Sequence, residues 1–299
     1  MDIRVATFNV ENLFARYRFR KRRKTVEANG FGINNLAFDI YDEALKRVTA
    51  KAIREVKADV ICLQEVENLA VLERFSSTYL PSLKYKYRLL IDSHDPRFID
   101  VAVLSKYPLG NINTHRDERI RNAWLFSRDC LEVDVDVNGT ILSLYVNHFK
   151  SMMGGRVKTH ARRVEQTTRV AALVDQRWQG KNYEGNFIVL GDFNDYDDPN
   201  TGLKPLLTHP GLENVVKRIP GGDDAQWTHY YAKGNEYKQL DYLLLSKSLA
   251  AANGVQPVIM RMGMPRRAQK YTGPRFPEVG NNDPKASDHA PVYMDLDLV

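Results

Sequence analysis

The sequence predicts an α/β protein built as a layered sandwich of mixed β-sheets. Strand-like apolar runs outnumber helical patterns, tight hairpins occur beside helical crossovers, and polar residues close the ends of several strands. A purely parallel sheet would need a long crossover between each pair of strands, so the hairpins argue against it. No repeat, low-complexity linker or change of composition marks a boundary, and we expect residues 1–299 to form a single domain.

The first part of the chain alternates strands with amphipathic helices. Residues 3–10 alternate as a strand, residues 41–57 carry apolar side chains at helical spacing, and residues 58–66 form a run typical of a buried strand. A basic stretch followed by a Gly- and Asn-rich one predicts a long loop over residues 16–35. Beyond these we expect one helix and two strands, over residues 68–79, 86–91 and 100–105.

The second part contains a hairpin and a long helix. Residues 131–137 alternate apolar and acidic side chains, and an Asn-Gly pair at 138–139 supplies the two-residue turn of a tight hairpin. The strand returns over residues 140–148 and carries His148 at the end of its apolar face. A helix is expected over residues 159–178. Two loop regions are expected over residues 197–235 and 252–286, and two strands over residues 239–246 and 290–298.

The excess positive charge is confined to one segment. The chain has a formal net charge of +6, and residues 16–24 contain seven basic residues and no acidic one. Removing those seven from the 43 basic residues leaves 36, against 37 acidic residues. The phosphates of a nucleic acid could bind these cations while bases stack on the interleaved aromatic rings, although a solvated loop fits the same composition. We assign Arg20, Arg22 and Arg23 as candidate contacts to nucleic acid.

Cysteine usage and the lack of targeting signals place the chain in a broad class. Cys62 and Cys130 both lie in apolar strand-like runs and are too few for a disulfide framework. No charged leader with a following apolar segment is present, and no apolar run reaches the roughly 18 residues of a membrane span. We therefore expect a soluble, cytoplasmic protein, and we expect it to be a monomer.

The stretch 187–195 presents polar side chains directly after a buried strand. Its apolar run ends at Gly191, and alternation along an extended backbone places Asp192 and Asn194 on the same side. A carboxylate beside an amide suits a cation, a water molecule or a phosphate oxygen, although a simple Gly-Asp turn would give the same pattern. Five other strand ends carry similar residues, which favours a shared site: Asn9, Glu65, Asn147-His148, Asp241 and Asp288-His289.

These residues are suited to metal-assisted hydrolysis. Strand ends on one rim of a sandwich converge in space, so they can form one site. Acids and amides supply oxygen ligands and no cluster of Cys and His offers a zinc site, so we expect Mg²⁺ or Mn²⁺, with Ca²⁺ also compatible. His148 and His289 would act as general base and general acid when water attacks phosphorus. Asp241 lies between apolar residues and needs a partner, for which His289 is the candidate.

Six short motifs follow one another along the chain: TFNV at 7–10, QEV at 64–66, NHFKS at 147–151, GDFN at 191–194, QLDY at 239–242 and SDHAP at 287–291. In this order they resemble the endonuclease/exonuclease/phosphatase superfamily. That superfamily includes deoxyribonuclease I, the exonuclease III type of abasic-site endonuclease, neutral sphingomyelinases and inositol-polyphosphate 5-phosphatases. The resemblance runs from residue 3 to the C-terminus and is closest to the deoxyribonuclease I-like bacterial branch. It implies a four-layer sandwich, in which two packed mixed β-sheets are flanked by helices.

The resemblance also implies how the metal and the phosphate are held. Glu65 would be the principal metal ligand, with Asn9 and Asp288 nearby. Asp192 would orient or activate the water, and Asn194 would hold a phosphate oxygen.

Two oriented histidines and a set of substrate contacts complete the implied site. His289 would pair with Asp241. His148 resembles the second histidine of the deoxyribonuclease I branch, and Asp100 falls where that branch has the acid that orients it. The remaining substrate contacts are assigned to Arg128, in a segment that resembles a phosphate-contacting one, and to Asn147 and Lys150.

The motifs and their chemistry predict a divalent-metal-dependent phosphodiester hydrolase, a nuclease with DNA favoured over RNA. The alternative is a phosphatase or phosphodiesterase acting on inositol phosphates or phospholipid head groups. A nucleic-acid-binding module without turnover is disfavoured, because every expected polar residue is present. Residues 227–231 lack the arginine that abasic-site endonucleases carry before the Asp241 position, which argues against abasic-site repair.

Overall fold

The computed structural model describes residues 2–19 and 36–299, so Arg20, Arg22 and Arg23 lie outside the described residues. The strands are β1 (Asp2–Phe19), β2 (Leu36–Tyr41), β3 (Val60–Val66), β4 (Tyr87–Leu90), β5 (Asp100–Ser105), β6 (Leu109–Thr114), β7 (Arg119–Ile120), β8 (Ala123–Trp124), β9 (Cys130–Val137), β10 (Thr140–His148), β11 (Phe187–Asp192), β12 (Leu212–Asn214), β13 (His229–Tyr231), β14 (Glu236–Lys238), β15 (Asp241–Ser246), β16 (Val258–Ile259) and β17 (Val292–Asp297).

Helices connect these strands. They are α1 (Glu43–Val56), α2 (Leu69–Tyr79), α3 (Arg156–Trp178), α4 (Lys204–Leu207), α5 (Asp223–Gln226) and α6 (Lys247–Ala252), with short 3₁₀ turns at Pro81–Leu83, Gln179–Lys181 and Val215–Arg218. In the part of the chain that the structure describes, none of the helices is long and apolar enough to cross a membrane.

Most of the strands form two mixed sheets, and β7 with β8 and β13 with β14 form two separate hairpins. In the first the order is β16-β17-β1-β3-β5-β4, with β2 paired to the far end of β1, and in the second it is β12-β15-β11-β10-β9-β6. Each sheet has one parallel pair, β1 with β3 and β10 with β11. A parallel pair needs a crossover connection, and α1 and α3 provide these two.

Alternate side chains of both sheets meet in a central core. Ile3 and Val5 of β1 contribute to it from one side, and Leu142 and Leu144 of β10 from the other. The outer face of the first sheet packs against α1 and α2, and the outer face of the second packs against α3. The result is the four-layer sandwich that the resemblance implies, and the fold class is confirmed.

Most of the elements expected from the sequence are present with slightly different ends. The three predicted helices over residues 41–57, 68–79 and 159–178 correspond to α1, α2 and α3. The predicted turn joins β9 to β10, and its residues Asn138 and Gly139 have φ of 54° and 93°, as a tight two-residue turn requires. Two expectations about loops are wrong. The region over residues 197–235 contains the short elements α4, β12, α5 and β13. The loop expected from residue 16 onward does not begin there, because β1 continues through its pairing with β2 as far as residue 19.

Candidate active site

Three adjacent strands of the second sheet bring His148, Asp192 and Asp241 into one row. His148 pairs with Asp192 in the β10–β11 ladder, and Asp192 pairs with Asp241 in the β11–β15 ladder. Residues two positions apart on a strand share a face. The burial of Val146 and Leu190 between the sheets therefore directs His148 and Asp192 towards the first sheet.

Gly191 allows these strands to meet. Its φ is 133°, and a Cβ atom at this position would lie 1.9 Å from the carbonyl oxygen of Asn147. Only glycine tolerates both conditions, which is the steric reason for the first residue of the GDFN motif. Phe193 anchors the turn in the outer core, and Asn194 then lies with its Nδ2 3.0 Å from Asp192 Oδ2.

Glu65 reaches the site through an irregularity in β3. The ladder to β5 skips this residue, since its neighbours Gln64 and Val66 pair with successive residues of β5, and the φ of Glu65 is 68°. Strict alternation would direct its side chain towards α1 and α2. The bulge re-aims the carboxylate into the cleft, where Oε1 accepts a hydrogen bond from Asn9 Nδ2 at 3.2 Å.

The neighbouring end of β1 is irregular as well. The ladder between β1 and β3 shifts between Asn9 and Leu13, and Glu11 and Asn12 have φ of 48° and 61°. This turn directs the backbone N–H of Asn12 to Glu65 Oε2 at 3.1 Å. Backbone outside the common regions is typical of functional sites, where the surrounding structure holds it.

Lys46, on α1, stabilises this turn through hydrogen bonds. Its Nζ donates to the carbonyl oxygens of Val10 and Glu11 at 2.7 and 2.6 Å, and burial lowers the pKa of its ammonium to about 8. The Glu11 carboxylate in turn accepts the backbone N–H of Asp288 at 3.0 Å and pairs with Lys285 at 3.0 Å. The end of β1 is thereby tied to the segment that carries the predicted ligand Asp288.

Asp192 lies at the centre of the site. Its Oδ2 accepts hydrogen bonds from the side-chain amides of Asn9 and Asn194, each at 3.0 Å. The same oxygen is 3.5 Å from His148 Nε2 and 3.8 Å from His289 Nε2. Burial raises the pKa of this carboxyl to about 6. Both sheets contribute to these contacts, so the site exists only when the sandwich is assembled.

His289 and Asp241 lie together, at the distance expected of a hydrogen-bonded pair. Nδ1 of His289 is 2.8 Å from Asp241 Oδ2, which also accepts the hydroxyl of Thr228 at 2.6 Å. Burial opposes the charged imidazolium, but the charges of Asp241 and Asp192 raise the pKa of His289 above its usual range. With Nδ1 held by Asp241, Nε2 of His289 is the nitrogen directed into the cleft.

His148 has no comparable partner. Its Nδ1 is buried and makes no hydrogen bond within the described residues. Burial, with the charges of Arg128 and His289, lowers the pKa of His148 well below its usual range. The expected pairing with Asp100 is wrong, because the Asp100 carboxylate accepts the backbone N–H of Ser93 at 3.2 Å and also the Ser93 hydroxyl, and no hydrogen bond joins it to His148.

Two of the predicted substrate contacts are buried inside the protein. Arg128 is 1% exposed, and its guanidinium donates to the carbonyl oxygens of His148 and Phe149 and to Asp95. Asn147 alternates with His148 along β10, so it faces α3 and is fully buried. The assignment of Arg128 and Asn147 as direct substrate contacts is therefore wrong. Arg128 instead stabilises the end of β10 through these hydrogen bonds.

Arg97, and not Arg128, is the arginine that the structure places in the cleft. Its side chain is 49% exposed, is paired with Asp95, and lines the cleft beside Glu65 and His148. No motif marks it, since it follows a turn in a loop. Lys150 lies just outside the residues that line the cleft and stays a predicted contact.

His229 is a site residue that the sequence analysis missed. Its Nε2 is 3.7 Å from Asp288 Oδ2, and its ring centroid is 4.6 Å from that of His289. Partial burial opposes ionisation of Asp288, but the neighbouring imidazoles of His229 and His289 lower the pKa of that carboxyl. The signal lay in the stretch WTHYY at 227–231, but such aromatic runs are more often core.

These side chains line one cleft of about 550 Å³. Carboxylates outnumber fixed cations on its floor, so the donor set fits a divalent cation. Within the described residues, two groups of three have ligand atoms within 4.8 Å of one another, namely His229-Asp288-His289 and Asp192-Asp241-His289. Neither contains Glu65 or Asn9, whose role as metal ligands stays a prediction.

Comparisons with known proteins agree with this fold. A sequence model of the Endonuclease/Exonuclease/phosphatase family matches residues 4–297, and no curated protein matches the sequence. The structure is similar to truncated TDP2 of Caenorhabditis elegans, with a TM-score of 0.60 at 15% identity over 99% of this chain and 97% of that one. An endonuclease/exonuclease/phosphatase from Bacteroides vulgatus gives 0.60 at 15% identity over 100% of both chains. The human Nocturnin catalytic domain, with a bound sulfate anion, gives 0.61 at 17% identity over 100% of this chain and 95% of that one. At these identities the likeness establishes the fold.

Proposed function

The chain belongs to the endonuclease/exonuclease/phosphatase family, and from this we propose that it is a divalent-metal-dependent phosphodiester hydrolase, a nuclease that prefers DNA to RNA. The observation that carries the proposal is the position of one buried carboxylate, Asp192, with Oδ2 3.5 Å from His148 and 3.8 Å from His289. A carboxylate between two imidazoles is suited to orienting a water molecule and moving its proton. The basic run over residues 16–24 supports a polyanionic substrate.

Glu65, Asn9 and Asp288 would hold the cation, which is Mg²⁺ or Mn²⁺ in this proposal. A divalent cation, when bound, supplies positive charge that polarises a phosphoryl oxygen. Glu65 and Asp288 present carboxylates to the cleft. Asn9 connects this group to Asp192, because its Nδ2 donates to Glu65 at 3.2 Å and to Asp192 at 3.0 Å.

The protein's own residues carry the proton transfers. Asp192 accepts a hydrogen bond from the attacking water and directs the water's lone pair at phosphorus. As the new bond from water oxygen to phosphorus forms, the bond from phosphorus to the leaving oxygen breaks. The water's proton passes to His148, whose lowered pKa leaves the imidazole neutral, and the leaving oxygen receives a proton from His289, whose raised pKa keeps it charged. Asn194, at the turn after β11, is assigned to a phosphate oxygen in this proposal, for which its Nδ2 exchanges one of its two acceptors, Asp192 Oδ2 or the carbonyl oxygen of Phe149.

A side-by-side assay tests this function. Plasmid, single-stranded DNA, RNA, an inositol polyphosphate and sphingomyelin are incubated with the protein in Mg²⁺ and in Mn²⁺, and His289→Ala purified in the same way controls for contaminating nucleases. Metal-dependent cleavage of DNA that the variant lacks supports the proposal. Preference for the inositol polyphosphate or sphingomyelin would favour the alternative substrates instead, and no turnover of any substrate would overturn the proposal.

A further inference from the structure

A β-hairpin closes one side of the cleft. It consists of β13 and β14, in which His229 pairs with Lys238 and Tyr231 pairs with Glu236. Alternation along β13 turns His229 and Tyr231 towards the cleft and Tyr230 into a small buried cluster. The strand that places His229 against the catalytic groups therefore places an aromatic side chain two residues further along the cleft.

Tyr231 presents an aromatic face that the protein itself does not use. Its side chain is 47% exposed and, within the described residues, no ring, cation or hydrogen-bonding group pairs with it. In contrast, the ring of Tyr196 on the same wall lies 4.6 Å from the guanidinium of Arg156 and 5.1 Å from the ammonium of Lys238. Two residues of extended strand span about 6.6 Å. A flat group joined to the reacting phosphate could reach the Tyr231 ring over this distance.

Glu236 sets the charge beside this ring. A Cβ atom at Gly234 would lie 3.0 Å from the Tyr231 ring and 2.6 Å from Glu236 Oε1, so both side chains lie over the same turn. A carboxylate at this position repels a second phosphate group. It also accepts a hydrogen bond from the amino group of a nucleobase. The corner formed by Tyr231 and Glu236 therefore suits a flat ring with an amino group, while the ammonium of Lys238 on the same wall lies against Tyr196.

We propose, as a refinement that rests on the proposed nuclease function, that Tyr231 and Glu236 form a nucleobase subsite beside the scissile phosphate. The base stacks on the Tyr231 ring and donates an amino hydrogen to Glu236. A base inside a duplex is stacked on its neighbours and cannot offer its face to the protein. The substrate class selected is therefore nucleic acid with an unpaired base at the cleavage site, and inositol phosphates, which have no planar ring, are disfavoured.

The test compares kcat/KM in Mg²⁺ for two single-stranded dodecamers, one of deoxyadenosine and one with the same sugar-phosphate backbone but no bases. Stacking of one base on an aromatic side chain corresponds to about 5- to 150-fold in affinity. We expect the wild-type protein to favour the base-bearing strand by a factor in this range. Tyr231→Ala should bring the ratio close to one, and Tyr231→Trp should retain it. Tyr87, 37% exposed on β4 and outside the cleft, supplies the control Tyr87→Ala, which should leave the ratio unchanged.

The outcomes separate the subsite from the nuclease function. Cleavage of both strands with a ratio that Tyr231→Ala does not change would overturn the subsite and leave the nuclease intact. Cleavage of neither dodecamer, with plasmid DNA still cleaved in Mg²⁺, would overturn the subsite alone, and turnover of no nucleic acid at all would overturn the nuclease and the subsite with it. Glu236→Gln gives a second readout, since removal of one exposed repulsive charge should raise turnover of an inositol polyphosphate, relative to the base-bearing strand, by about fivefold. An unchanged ratio would contradict the role of Glu236.

Discussion

Asp241 makes its hydrogen-bonding contact with the cleft through His289. Its carboxylate is fully buried, Oδ2 lies 2.8 Å from His289 Nδ1, and Thr228 holds the same oxygen at 2.6 Å. The contact selects the tautomer in which Nε2 of His289 faces the cleft near Asp192. We therefore regard Asp241 as a residue that positions and charges the imidazole, without contact to the substrate.

This arrangement predicts that Asp241 and His289 behave as one unit. His289→Ala should reduce kcat by about 10²–10⁴, the usual contribution of a positioned acid or base. Asp241→Asn should cause a similar loss, because an amide favours neither the imidazolium nor the required tautomer. The double variant should lose little more than either single one, since residues that act together are strongly non-additive. Steady-state kinetics of the three variants at saturating Mg²⁺ measures this.

A second Asp–His contact in the same protein serves as the control. His209 Nε2 lies 3.0 Å from Asp175, on the α3 side and outside the cleft. Asp175→Asn should leave kcat unchanged. If the losses from Asp241→Asn and His289→Ala multiply in full, the two residues do not work as a pair.

Glu65 should be required for metal binding. Glu65→Gln keeps the shape of the side chain and one amide oxygen that can accept a hydrogen bond, but it removes the anionic charge that a hard cation needs. We expect loss of measurable Mg²⁺ binding in a calorimetric titration and loss of nearly all hydrolysis, with a normal unfolding transition. Glu67→Gln removes the same charge two residues away, where the carboxylate accepts the backbone N–H of Ala15 instead of facing the cleft. Mg²⁺ affinity that is equal in Glu65→Gln and wild type would refute Glu65 as a ligand.

Among the secondary-structure elements, β1 and β3 form the site where they stop being regular. The Glu65 bulge and the turn at Glu11 and Asn12 have left-handed φ values of 48–68°. In a regular ladder these side chains would be buried against α1 and α2 or would point away from the cleft. The helix α1 compensates by supplying Lys46 to the carbonyl oxygens of the turn, at 2.6 and 2.7 Å.

Lys46→Met should therefore affect both stability and activity. A side chain of similar length without the ammonium leaves two buried carbonyl oxygens unpaired, which costs about 1–3 kcal/mol of unfolding free energy. The Asn12 N–H would also lose its fixed position on Glu65, so Mg²⁺ affinity should fall. Urea unfolding and calorimetric titration measure the two effects.

The next residue of α1 provides the matched control for this prediction. Arg47 makes a surface ion pair with Glu43 at 2.6 Å, with both side chains more than half exposed. Arg47→Met should cost no more than about 1 kcal/mol and should not change Mg²⁺ affinity. Equal effects of the two substitutions would show that Lys46 does not support the turn.

At the scale of the whole molecule, the described start of the basic run, residues 16–19, lies on the part of β1 that pairs with β2. β1 runs from its pairing with β17, past the cleft at Asn9, to its pairing with β2, and the basic run begins on that last part. The described start of this run is thus connected to the cleft by a single strand. This geometry agrees with a nucleic-acid substrate that extends beyond the scissile bond.

Substitution of Arg20, Arg22 and Arg23 by Ala should weaken nucleic-acid binding for all sequences alike. The slope of log K against log salt should flatten by roughly 0.9 for each phosphate of a double strand that the protein no longer neutralises, or about 0.7 for single strands. Fluorescence anisotropy over a range of salt concentrations measures it. Substitution by Gln of the three exposed lysines Lys57, Lys84 and Lys86, which do not line the cleft, removes the same charge as a control. An unchanged slope would mean that the basic run is a solvated loop that does not bind nucleic acid.

Local sequence patterns were sufficient to predict the layers and the convergence of the polar strand ends on one site. Alternation was enough to place His148 on the buried face of its strand, since a one-residue error would expose every apolar neighbour, and the apolar neighbours of Asp241 indicated that it needs a partner. The Asn-Gly turn likewise predicted the hairpin that ends at His148. These features depend on patterns that repeat over several residues.

Where the alternation along a strand ends, the packing of the two sheets determines which polar side chains enter the cleft. The bulge at Glu65 turns its side chain to the face opposite to the one that alternation assigns. The Asp100 carboxylate, expected to bind His148, accepts a hydrogen bond from Ser93 instead. Arg128 is buried, while Arg97 lines the cleft. A single bulged or turn residue leaves no periodic trace in a sequence. Its direction is set by hydrogen bonds to segments distant in the chain, and these form only when the two sheets pack together.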